Sequence, residues 1–175
     1  MANCATGDIP AYVIDSQNCA ETGRIVAIAF IKTSKTFSDL SDPSEWTAAI
    51  TTGDIKVHKK VRGSYPRPSD VEITGKGNQS SNLVGADHQI TVRIDNVKGN
   101  SNYWNSFAKS NEWKTAFVVG ANYDTLFYVD ATVSIVGRAI VDESLSSELD
   151  WEVVIKWADI DNPEITDVPA GVFTE

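Results

Sequence analysis

Apolar side chains recur along much of this chain at every second position, the pattern of strands with one covered face. Ile90, Val92 and Ile94 alternate with Gln89, Thr91, Arg93 and Asp95. Further on, Trp151, Val153, Ile155 and Trp157 share one face while Asp150, Glu152 and Lys156 share the other. Residues 24–32 (RIVAIAFIK) form a nearly continuous apolar run rich in β-branched residues, which predicts a central strand covered on both faces. Ile55, Val57 and Val61 alternate with Lys56, His58, Lys60 and Arg62, predicting a strand with one wet, basic face. After an interruption at 63–68 (GSYPRP), whose prolines cannot sit in a central strand, Val71 and Ile73 resume the alternation.

Two segments break the period of two. Asp42 as N-cap, Pro43 at the first helical position, Glu45 three residues after the cap and Gly53 as the stop predict a short helix. Its Trp46, Ala49 and Ile50 fall on one face and can dock on a sheet. Residues 100–110 (NSNYWNSFAKS) predict a second short helix, with Tyr103, Trp104 and Phe107 plugging a sheet edge or core end. Segments 113–119, 126–131, 132–142 and 149–157 follow as strand candidates at hairpin spacing.

The sum is about eight strands and two helices, hence a mainly β protein: an antiparallel β-sandwich or small barrel flanked by one or two short α-helices. No repeat or linker divides the chain, so residues 1–175 read as a single domain, with an N-terminal arm over 1–23 and an extended tail over 161–175. Residues 75–85 (GKGNQSSNLVG) read as a long mobile loop, since they offer little apolar area to offset the entropy of ordering.

Composition then narrows function. Hydrophobic residues make up 42% and charged residues 22% of the 175, as in a folded domain large enough to bury a core without staples. The formal net charge of −9 disfavours a surface that grips nucleic-acid phosphates. No basic, apolar leader and no run of about 20 apolar residues is present, so synthesis in the cytoplasm is expected. Cys4 and Cys19 are the only cysteines and do not make a disulfide framework.

Catalytic chemistry finds little support. The only histidines, His58 on the basic face and His88 at a strand start, read as solvated surface residues. No His-x-x-x-His, Cys-x-x-Cys or Gly-x-Ser-x-Gly occurs, so no catalytic, cofactor or metal residue is assigned and no enzyme is expected. Gly75-Lys76-Gly77 opens no helix that could hold a phosphate. Asp130, Asp142, Glu143, Asp150 and Glu152 could supply a glycosidase pair, but any acidic chain offers such pairs. Of five tryptophans, Trp46, Trp104, Trp151 and Trp157 lie on faces that predict core packing; Trp113 is the one left for a sugar-stacking platform.

The order of elements, carried by residues 23–30 (GRIVAIAF), 42–46 (DPSEW), 100–107 and 149–157, resembles the tail-tube family of tailed bacteriophages, specifically the small ring or tube virion proteins of Bacteroidetes phages of the crAss-like group. The resemblance implies a homo-oligomeric ring, commonly hexameric, in a virion tail or neck. Such a ring joins other tail or neck proteins and passes DNA through its lumen without binding it. It implies lumen-facing carboxylates, for which Asp95, Asp130, Asp142, Glu143, Asp150 and Glu152 are the candidates. It also implies bridging between rings by the loop with Pro66 and Pro68 or by the loop with Gly77 and Gly85. A carbohydrate-binding or adhesin module of the β-sandwich class is the alternative.

Overall fold

The computed structural model describes residues 23–120, 122–141 and 149–174. In chain order its elements are β1 (Ile25–Lys32), α1 (Pro43–Thr52), β2 (Ile55–Ser64), β3 (Ser69–Ile73), β4 (Asn82–Ile94), α2 (Ser101–Ala108), β5 (Trp113–Val119), β6 (Thr125–Val129), β7 (Ser134–Ile140), β8 (Asp150–Asp159) and β9 (Glu164–Asp167). The strands form one sheet in the order β7-β8-β4-β2-β1-β5-β6-β9, with β3 added beside β4, and every pairing is antiparallel. The mainly β expectation holds. Cys4, Cys19 and the expected arm, up to residue 22, lie outside the described residues, as do Asp142 and Glu143.

β1 is covered on both faces, as its unbroken apolar run predicts. Ile25, Ile28 and Phe30 enter one core cluster with Phe117 of β5, Ile90 and Val92 of β4, Ile135 of β7 and the four apolar side chains of β8. Ile135 of β7, at one end of the sheet, and Val129 of β6, next to the other end, share this cluster, so the sheet curls over and closes a sandwich-like core on itself. Ala27, Ala29 and Ile31 point the other way, into a second cluster under α1 with Trp46, Ala49, Leu126 and Phe173. Small alanines on that face leave room for the Trp46 indole.

α1 begins where its signals place it: Asp42 Oδ1 accepts from Ser44 N at 2.8 Å, and Gly53 closes it with φ 82°. α2 fulfils its expected role as a plug, with Trp104 and Phe107 inside the first cluster.

β2 corrects the simple alternation. Ile55 and Val57 belong with the α1 layer, but Val61 belongs to the other cluster. Lys60 has φ 58°, and the β1 pairing slips from Ala27↔Lys59 to Ile25↔Gly63, so a bulge turns the strand over between Val57 and Val61. Beyond it, Gly63 pairs with Ile25 on one side and Val92 on the other; a Cβ there would lie 2.4 Å from Val92 Cγ1. Glycine lets the two halves of the sheet meet.

Two loop expectations change. The segment 75–85 is shorter as a loop, because β4 starts at Asn82 and Gly85 sits inside it opposite Val71. The tail after Asp161 does not trail away: β9 pairs with β6, and Val172 and Phe173 are buried. Apolar burial at Phe173 outweighs the turn-forming Pro169 and Gly171.

Candidate functional site

β3 and the first half of β4 leave the body of the protein as a two-stranded ribbon. All of β3 is exposed, and the ladder runs from Ser69↔Asp87 to Ile73↔Asn82 with an irregularity at Val71/Glu72. Beyond Ala86 nothing apolar is buried on it, yet Val71, Ile73, Leu83 and Val84 are exposed, Ile73 at 61%. Leu83 opposes Glu72, whereas Val71 and Ile73 alternate with Glu72, so both faces of the ribbon carry apolar side chains. Isolated two-stranded ribbons are marginal in water, so this one gains most by being covered. Pro66 and Pro68 lie in the connector at its base, Gly77 (φ 65°) in its turn and Gly85 in its strand. All four expected bridging residues therefore belong to one projection and its root.

The four acidic candidates among the described residues are not gathered on one surface. Asp95 follows β4, beside α2. Asp130 follows β6, four strands away from β4 in the sheet order, and pairs with Lys114, whose ammonium holds its carboxyl below the usual carboxylate range. Glu152 stands in a row directly between Arg93 of β4 and Arg138 of β7. Asp150 corrects the expectation of an open, lumen-facing carboxylate: it is 2% exposed, and Arg62 Nη2 reaches its Oδ2 at 3.3 Å. Past the bulge in β2, Arg62 reaches across β4 to Asp150 on β8, and the ion pair sequesters the acid.

Both histidines are also corrected, from solvated to packed. His58 lies 5.7 Å from the Phe30 ring and 5.5 Å from Trp104, stacked on the latter, and shares a 2.8 Å hydrogen bond with the Tyr103 hydroxyl. Burial pushes its pKa down to about 4 and pushes that of Tyr103 up. His88 is buried, with Nδ1 at 2.6 Å from the Tyr65 hydroxyl and Nε2 at 3.2 Å from the Asp159 carbonyl. Trp157 stacks on it at 4.9 Å. Polar flanking residues masked these contacts in sequence; the aromatic runs Tyr103-Trp104 and Trp151 to Trp157 were the only signal that something covers them.

Trp46, Trp104, Trp151 and Trp157 are buried as predicted, and Trp113 is half-buried against Phe107 at 4.8 Å. Among the described residues no group of His, Cys, Asp and Glu is placed to hold a metal ion, and no helix is long and apolar enough to cross a membrane. Comparison with family models, curated proteins and solved structures gives no match to this chain.

Proposed function

We propose that this protein is a structural virion subunit that assembles with copies of itself into rings, forming part of a phage tail tube or neck through which DNA passes. The observation that carries the reading is the β3–β4 ribbon. It exposes Val71, Ile73, Leu83 and Val84 on an element with no core of its own, a poor surface for a lone subunit and a good one for a subunit with neighbours. Among the described residues, the outer strands β7 and β9 end the sheet order on opposite sides with two different unpaired edges. Different edges favour head-to-tail contacts, the kind that closes rings. The net charge of −9 suits a conduit that must not retain DNA.

Native mass spectrometry and negative-stain microscopy of the purified protein test the reading. A single closed stoichiometry with a central opening is expected. A strict monomer at high concentration, with neither ring nor tube, would overturn it.

A further inference from the structure

Where β1 starts, the curled sheet leaves an apolar groove of about 240 Å³ open to solvent. Its floor is the buried Phe117, but its walls are not core: Tyr65, Val119 and Phe127 are half-buried and Pro66 is exposed. Ile165, which pairs with Phe127 from β9 and is 60% exposed, continues the apolar surface to the edge of the sheet. Arg24 is the one charged residue in the lining; it is exposed and makes no ion pair among the described residues. A fitting occupant offers an apolar side chain with a carboxylate beside it.

The β3–β4 ribbon carries that pair. Leu83 and Glu72 stand directly opposite each other across its ladder, so their side chains share one face with Cβ atoms about 5 Å apart. Leu83 is 46% exposed, and Glu72 is exposed and also makes no ion pair among the described residues. The ribbon cannot fill the groove of its own copy. Ser64, in the groove's lining, pairs with Thr91 of β4, and Leu83 lies farther along that strand by about eight residues, roughly 26 Å. A second copy can bring it.

We propose that Leu83 of one copy seats in the apolar groove of the next, between Tyr65, Val119 and Phe127, with Glu72 beside it against Arg24. The inference rests on the assembly reading above and gives the ribbon its receiving surface. Groove and ribbon are different surfaces, so each copy offers both and the contact propagates head to tail. Burial of Leu83 supplies affinity, and the charge pair fixes which face of the ribbon turns inward.

Charge reversal on the full chain, read by analytical sedimentation, tests it. Arg24→Glu and Glu72→Arg, both at exposed positions and each shown to be folded by circular dichroism, are each expected to weaken self-association about tenfold by setting like charges together. The double variant Arg24→Glu/Glu72→Arg is expected to recover most of that loss. Within one copy the two residues are too far apart to couple, so the recovery reports a contact between copies. Leu83→Ala, which leaves every charge in place, is expected to weaken self-association about tenfold as well. Wild type that assembles, with single variants that assemble as tightly or a double variant no better than the singles, would overturn this contact and leave the assembly reading standing. So would a loss with Arg24→Glu but none with Glu72→Arg, which gives the groove to another occupant. Wild type that remains monomeric would overturn both.

Discussion

The Nε2 of His58 and the hydroxyl of Tyr103 lie 2.8 Å apart and join β2 to α2 across 45 residues of sequence. The ring is held neutral there, since burial lowers its pKa from 6.5 to about 4. Between those values the unfolded chain takes up a proton that the folded chain refuses. Stability is therefore full above pH 6.5 and declines as pH falls through the window, by about 3 kcal/mol at pH 4. Urea unfolding at pH 7, 5.5 and 4 checks this. His58→Gln, which can still bond Tyr103 but does not titrate, is expected to flatten the profile over that range; an unchanged slope would assign the loss to other groups.

Gly137 lies under the indole of Trp104. A Cβ at this position would come within 2.8 Å of Trp104 Cδ2, and the indole is wedged among Phe30, Phe107 and Trp151 with little room to yield. Gly137→Ala is expected to cost about 1–3 kcal/mol by overpacking, although alanine is otherwise no worse than glycine in a strand. Thermal melting measures it, and pairing the change with Trp104→Phe is expected to recover part of the loss.

Phe173 shows that the C-terminal segment belongs to the fold. Its ring is buried 5.2 Å from Trp46 and closes the α1 layer. Phe173→Ala is expected to destabilise by about 3–5 kcal/mol, as emptying a core site does. A denaturation midpoint within error of wild type would show that the segment merely rests on the surface.

What was legible in the sequence was whatever depends on neighbours along the chain. The cap Asp42, the stop Gly53 and the Trp151-to-Trp157 alternation each state a local structure through local chemistry, and each stands where it was read. What was hidden depends on distant partners. The solvated reading of His58 fails because α2 folds Trp104 over it, and the shared face of Ile55 and Val61 fails because a bulge opposite β1 turns the strand. The loop reading of Gly85 fails because β3, itself outside the core, pairs with its strand. The acidic candidates suffered most. Charge sign is visible in sequence, but whether Asp150 meets Arg62 or open water is decided by strand pairing.

The ribbon separates folding from association. Val71, Ile73 and Leu83 are exposed and support no buried cluster, so replacing them with serine is expected to change the stability of the isolated subunit by no more than about 0.5 kcal/mol each. In an assembly the same side chains lose water to a neighbour, and each buried one contributes roughly 1.5–3 kcal/mol. The triple serine variant should therefore melt near the wild-type temperature under conditions where both are monomeric, yet sediment as a monomer at concentrations where wild type forms larger species. If instead it unfolds early, the ribbon is packed against its own subunit. If it assembles as wild type does, neighbouring subunits meet through other surfaces.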